Sequence, residues 1–234
     1  MPSKIQKDEL LMNDAPSAKI ARLPRKNDAG ATKENILKIA TEEFSAAGFS
    51  GARVDEIAER TKTSKRMIYY YFGSKEGLYL AVLEQAYARI RTLESALQLE
   101  SLTPTQAMRR LIESTFDHDD GDPNFVRLVS IENIHFAAHM KRSDILSRTN
   151  VGIIDIISGI LRKGYADNSF LRIVDPVDLH MMISAQCFFR VSNQYTFGAI
   201  FGRDLSSEVL KSRHKSMICD AIIAFLTTRA ATEP

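Results

Sequence analysis

The sequence predicts an all-α protein, and three observations predict it. Apolar residues recur at helical spacing from Thr32 onward, Ser and Pro stand where helices would begin, and no stretch alternates as a half-buried strand would. Ile36, Ala40, Phe44 and Ala47 mark a first helix over about 32–47, with Gly48 placed to end it. Val54 to Arg60 forms a second, short helix. Thr61, Lys62 and Thr63 make a turn, and Ser64 is the N-cap of a third helix reaching about Tyr71. Ser74, with Glu76 in the first turn, caps a long fourth helix carried by Leu78, Val82, Tyr87, Ile90 and Leu97. Pro104 then opens a helix to about Asp117, and Pro123 one to about His139. Ser143 to Lys163 reads as a single helix ended by Gly164, Pro176 opens one to about Phe197, and Ser206 caps the last, through Thr228.

Composition bounds the function. The 234 residues are 44% hydrophobic and 26% charged, an ordinary balance for a soluble globular chain. Lys4, Lys7, Asp8 and Glu9 interrupt any signal-peptide core, and the longest apolar stretch, Gly152 to Leu161, is broken by Asp155, so a cytoplasmic protein without a membrane span is expected. Cys187 and Cys219 lie in apolar helices rather than in a CxxC pair, which argues against a disulfide framework or a zinc module.

The net charge of +2 is unevenly divided: residues 1–75 carry +4 and residues 76–234 carry −2. Residues 60–75 hold Arg60, Lys62, Lys65, Arg66 and Lys75 and no acid, which suits a phosphate backbone or, equally simply, a solvated helix face. Residues 1–30 lack a sustained period and are expected to be a flexible basic arm, Ser17 to Lys26 carrying four positive charges.

Enzyme chemistry finds no support. His135 and His139 are spaced i,i+4 but lack the Glu of HExxH, and the acidic run Asp117 to Asp122, read as a solvated turn between helices, lacks EF-hand spacing. Gly48-Phe49-Ser50-Gly51 is not a nucleophile elbow, and no Gly-rich phosphate loop occurs. Neither a catalytic residue, a metal site nor a cofactor is expected.

The stretch from Thr32 to Leu83, with Ile36-Leu37, Phe44, Gly48-Phe49, Ile57-Ala58, Ser64, Tyr69-Tyr70-Tyr71-Phe72 and Lys75-Glu76 in order, resembles the DNA-binding head of TetR-family transcriptional regulators. The resemblance implies a helix-turn-helix over 31–75, whose third helix lies in the major groove, and a helical effector-binding and dimerisation domain over 76–234. It implies that Lys65, Arg66 and Met67 read base edges, that Arg53, Lys62, Ser64 and Lys75 lie at the DNA, and that one or both of Tyr69 and Tyr70 reach a phosphate. Ile68, Tyr71 and Phe72 would pack inward. Two positions depart from the family pattern: Thr61-Lys62-Thr63 replaces a small residue and Gly, so Lys62 would need a left-handed backbone or a slightly different turn, and Ala52 replaces a capping Thr.

Further on, Val174-Asp175-Pro176 ahead of an aromatic-rich helix resembles regulators of pyrimidine and related heteroaromatic catabolism. In that helix Gln186, Phe189, Arg190, Asn193 and Gln194 would line a pocket for an aromatic or acidic effector or form a dimer seam. Arg190 needs a partner there, either a ligand carboxylate or an internal acid such as Asp155 or Glu132. The expected function is a homodimeric repressor that leaves double-stranded operator DNA when a small effector binds; a DNA-binding structural protein of the same fold is the alternative.

Overall fold

The computed structural model describes residues 26–149 and 151–229. It contains eleven α-helices and no strand among these residues: α1 Lys26–Gly51, α2 Val54–Arg60, α3 Lys65–Phe72, α4 Lys75–Ser95, α5 Pro104–Gly121, α6 Pro123–Ile134, α7 Asp144–Thr149, α8 Val151–Ala166, α9 Pro176–Ser192, α10 Gln194–Phe201 and α11 Glu208–Thr227. A 3-10 turn, Met140–Arg142, precedes α7. Apart from Lys26, the basic stretch Ser17 to Lys26 lies outside the described residues.

The caps explain most helix starts. Ser64 and Ser74 accept from the Met67 and Gly77 amides at 3.2 and 3.0 Å. Thr103 and Gln106 form a reciprocal capping box at α5, and Asp122 and Asp175 cap α6 and α9. Ser207, not Ser206, caps α11; Ser206 is turned to Asp204, whose Oδ1 accepts from both its N–H and its hydroxyl. The first helix starts at Lys26, earlier than its apolar period begins, and bends at Gly48, where φ is 70°.

Three apolar clusters organise these helices, the smallest joining Ala86 and Ile90 of α4 to Phe125 and Val126 of α6 and Val191 of α9. The head core joins Ile36, Ala40 and Phe44 of α1, Ile57 of α2 and Ile68 of α3 to Leu78, Tyr79 and Val82 of α4. The bundle core surrounds α5, where Met108, Leu111, Ile112 and Phe116 meet Ile157 of α8, Ile183 and Cys187 of α9 and Ile222 of α11. Both cysteines are free and buried, and burial pushes the Cys219 thiol up to about 11 and that of Cys187 further in the same direction, so both pack as small hydrophobes.

Several boundaries differ from the sequence expectation. The helix from Pro123 stops at Ile134, because Phe136 and Ala137 take left-handed conformations (φ 59° and 56°) that let the chain turn back. Glu132 collects that turn: its buried carboxylate accepts from the His139 and Met140 amides, each at 3.2 Å, and lies 3.0 Å from His139 Nδ1. His135 and His139 therefore do not share a helix. The described residues on either side of position 150 are helical over Asp144–Thr149 and Val151–Ala166, two residues beyond the expected end at Gly164, and the helix from Pro176 ends at Ser192, Asn193 separating it from α10. The run Asp117 to Asp122 is not an exposed turn but the last turn of α5 and its cap. Asp117 pairs with Lys215 at 2.5 Å, Asp120 with Lys211 at 3.0 Å and with Arg190, and Asp119 sits buried 3.4 Å from His118. Partners on α9 and α11 hold these acids in the helix.

Gly77 fixes the junction between α3 and α4. A Cβ there would lie 2.1 Å from the carbonyl oxygen of Phe72, so only glycine lets the first turn of α4 close on the end of α3. Gly77→Ala is expected to cost at least ~1–3 kcal/mol of stability, since backbone cannot yield as a flexible side chain does. Urea denaturation checks this, and an unchanged midpoint would contradict it.

Candidate nucleic-acid interface and bundle cavity

The second and third helices form a helix-turn-helix whose exposed edge is basic. Of the two alternatives for the turn, Lys62 takes the left-handed one, with φ 53°. Its amide donates to the Glu59 carbonyl at 3.1 Å and that of Thr63 to Ala58 at 3.0 Å, closing the turn without glycine. Arg53 stands at the N-cap of α2 without a side-chain cap, and its own amide is taken by Glu43 of α1 at 3.2 Å. Ala52 is buried in the head core.

The cations divide by what holds them. Lys65 is paired with Asp55 at 2.9 Å, which raises its pKa and keeps the ammonium charged. Arg53 lies 3.7 Å from Glu56, and Arg60 is tied to Glu42 and, at 3.9 Å, to Glu43. The exposed side chains of Lys62 and Arg66 make no ion pair or hydrogen bond among the described residues. Of the two cations on α3, Arg66 is thus the one without an internal acid partner. Met67 is half-buried, and Ser64 spends its hydroxyl on the cap.

The aromatics sort as the periodicity implies. Ile68 is fully buried, and Tyr71 and Phe72 pack against the head core, whereas Tyr70 is 77% exposed and Tyr69 is also exposed. Lys75 rests 5.1 Å from the centre of the Phe49 ring and 3.4 Å from the Ser50 carbonyl, at the start of α4. Lys33, absent from the sequence reading, stands 5.6 Å from the Phe72 ring centre and adds a cation beside the end of α3. Its exposed place on the first helix, one turn before buried Ile36 and Leu37, was the available signal.

Behind the head, a cavity of about 590 Å³ opens between α4, α5, α6, α8 and α9. Tyr87, Phe125 and Phe188 give it aromatic walls, and Arg91, Glu94, Thr115, Asp119, Asn133 and His180 its polar groups. Burial, with Arg91 nearby, lowers the pKa of His180 and favours neutral imidazole. Burial likewise raises that of Asp119 despite His118. A neighbouring space of about 730 Å³ between α4, α5 and α8 shares Arg91 and Glu94 as its wall.

The residues singled out on α9 lie elsewhere. Gln186, Phe189 and Arg190 line a groove of about 510 Å³ with Met217 and Ala221 of α11, while Asn193 ends α9 and Gln194 faces the end of α1 and α6. Arg190 has its internal partner, which is Asp120 and neither Asp155 nor Glu132. Its Nη1 donates to the Leu205 carbonyl at 2.7 Å, and the guanidinium stacks 4.7 Å from the Phe116 ring centre. A ligand carboxylate is therefore not needed to neutralise Arg190.

A basic helix-turn-helix fused to a helical bundle defines the class: a DNA-binding transcriptional regulator. Residues 36–82 match the family described as "Bacterial regulatory proteins, tetR family", and residues 104–222 match "Tetracyclin repressor-like, C-terminal domain". The chain belongs to the TetR family. It is 34% identical over 196 residues to the HTH-type transcriptional repressor NicS of Pseudomonas putida, covering 84% of this chain and 92% of that one. It is 31% identical to the HTH-type transcriptional regulator RutR of Escherichia coli, covering 79% and 85%. A crystal structure of a putative transcriptional regulator, SCO4942 of Streptomyces coelicolor, superposes with a TM-score of 0.62 at 26% identity, over 83% of this chain and 97% of that one. All three are described as transcriptional regulators. Among the described residues no helix is long and apolar enough to cross a membrane.

Two substitutions separate base reading from backbone contact. Arg66→Ala should lose ~1–3 kcal/mol on operator DNA and relax base preference, whereas Lys75→Ala should weaken all duplexes alike and lower the salt slope by about one unit. Fluorescence anisotropy on operator and random duplexes at several salt concentrations checks both. Equal losses on the two duplexes for Arg66→Ala would remove it from base readout.

Proposed function

We propose that this protein is a cytoplasmic repressor that grips a roughly palindromic operator as a homodimer and leaves it when a small molecule enters the cavity between α4, α5, α6, α8 and α9. The observation that carries the reading is α4 itself: the helix that starts at Lys75 beside the recognition helix also lines the cavity with Tyr87, Ile90, Arg91 and Glu94. A ligand that binds one arrangement of α4 better than another must bias the heads, and one that binds both equally would change nothing.

Arg66, Lys62, Lys65 and Tyr70 are the groups assigned to DNA, with Arg53, Ser64, Met67, Tyr69 and Lys75 at the edges of the same footprint. A two-fold dimer places two such helices on successive major grooves. The dimer seam is assigned to α9, α10 and α11, whose large apolar side chains Phe189, Tyr195, Ile200, Phe201, Val209 and Met217 are exposed in the single chain. Gln186, Phe189 and Arg190 then border the seam rather than the effector, and Asn193 and Gln194 lie at its end.

Met217 probes the seam directly, whereas Phe225 on the same helix packs against the bundle core beside Arg172. Met217→Glu, at a side chain 56% exposed, should yield a helical monomer in sedimentation and weaken operator binding by the loss of the second half-site. A dimer unchanged by Met217→Glu combined with Phe189→Glu would contradict the seam. Selection from random duplexes with the full chain tests the function directly: an inverted repeat with half-sites about one helical turn apart, or a multiple of it, is expected. Recovery of no preferred sequence would overturn the regulator reading.

A further inference from the structure

We propose that Asp55 is a specificity-determining residue of the DNA interface: its carboxylate holds the Lys65 ammonium, so that Lys65 serves a guanine edge in the operator and adds nothing to the grip on the phosphates of other sequences. On the reading of α3 as the helix that enters the major groove, this acid of α2 decides what the first cation of α3 can do.

Lys65 is the first residue of α3, and Asp55 stands in the first turn of α2. The ammonium lies 2.9 Å from one carboxylate oxygen and 3.1 Å from the other, so the pair bridges the two helices across the turn between them. Both side chains are about half exposed, and an exposed pair adds little to stability. Its consequence lies instead at the surface it occupies. The second helix buries Val54, Ile57 and Ala58 and leaves Asp55 and Glu59 exposed, whereas residues 60–75 hold no acid at all. Asp55 is therefore the acid that reaches the recognition helix, and it reaches Lys65 and not Arg66.

A lysine ammonium has three donors and no acceptor, so a carboxylate that takes one or two of them leaves another free. At the N-terminal end of a helix in the major groove that donor can reach O6 or N7 of a guanine, which are uncharged acceptors and tolerate a carboxylate behind the ammonium. A phosphate does not. Asp55 cancels the charge beside it, so the pair presents no net charge to the backbone and displaces no counterion there. Without a guanine in reach, the carboxylate stands as a like charge near the phosphates. Asp55 thus costs affinity where the sequence is wrong and little where it is right, and a repulsive element of that kind separates two affinities as surely as an added contact does.

Asp55 also suits the first turn of α2 as a helix-stabilising acid, a role that needs only its charge near the helix start. Glu59, on the same helix, is exposed and forms no ion pair among the described residues, and its removal therefore measures what one acid of α2 does by charge alone.

Anisotropy with the full chain, on the duplex recovered by selection and on a random duplex of equal length, at several salt concentrations, tests this. Asp55→Asn should raise affinity for the random duplex severalfold and steepen its salt slope by about one unit, while operator affinity stays near that of the unaltered chain. Glu59→Gln should move both duplexes alike. Lys65→Met should lose operator affinity, and in that background Asp55→Asn should no longer narrow the gap between the duplexes. Asp55→Glu, which keeps the charge, should keep most of the gap, with circular dichroism confirming the fold of each variant. An equal change on both duplexes for Asp55→Asn, an unchanged random-duplex affinity, or a gap that narrows as far without Lys65 would overturn the role of Asp55 and leave α3 as the recognition helix. Indifference of both duplexes to Lys65→Met would remove Lys65 from the DNA and overturn the role of Asp55 with it.

Discussion

A single helix is buried in two cores at once. The N-terminal half of α4 gives Leu78, Tyr79, Val82 and Leu83 to the head core, and its C-terminal half gives Ala86 and Ile90 to a smaller core with Phe125, Val126 and Val191. Lys75 and Glu94 are nineteen residues apart, which at helical rise is about 28 Å. Helical hydrogen bonding makes that span a rigid rod, so displacement at the Arg91–Glu94 end reaches the recognition helix, which Gly77 and Ser74 lock to the other end. A helix shared between cores curves only gently unless its hydrogen-bond ladder is interrupted, so a shift of α4 is felt in both.

A second set of ties runs through α6 and keeps the head from swinging freely on that rod. Arg127 Nε donates to the Ser45 carbonyl at 2.9 Å, and the Ser45 hydroxyl donates to Asn124 at 2.8 Å, joining the end of α1 to α6. Glu132, from the same helix, organises the turn that presents His139 to the rings of Phe49 and Tyr79, with centroids 4.3 and 4.9 Å away. Burial first, and Glu132 second, raise the Tyr79 pKa, so its hydroxyl stays protonated. Val129 and Asn133 of α6 also line the cavity, so two of the elements that touch the head, α4 and α6, are elements a ligand there would touch. Coupling through two such contacts is a matter of which packed arrangement is favoured, not of a continuous pathway.

The head was largely legible in the sequence because its determinants are local. Ser64 and Ser74 cap within three residues, and Ile36, Ala40, Phe44 and Ile68 mark buried faces by spacing alone. The bundle was less legible because distant partners decide it. The run Asp117 to Asp122 reads as a turn until Lys211, Lys215 and Arg190 arrive from α9 and α11 to neutralise it. Left-handed Phe136 and Ala137 have no glycine to announce them, and their turn is held by a carboxylate four or five residues earlier. Arg190 lies among apolar residues in the sequence, and its partners, Asp120 and the Leu205 carbonyl, are 70 and 15 residues away, beyond the reach of local spacing.

The central claim is that α4 must stay one continuous rod between the cavity and the DNA. Ala88 and Arg89 are exposed and touch neither core, so replacing both by glycine softens the rod, at about 1 kcal/mol of helix stability each, without opening a hole. Anisotropy with operator and random duplexes would then measure the consequence. Operator affinity is expected to fall severalfold while random-duplex affinity stays near that of the unaltered chain; undiminished operator affinity in a folded Ala88→Gly, Arg89→Gly protein would contradict the account.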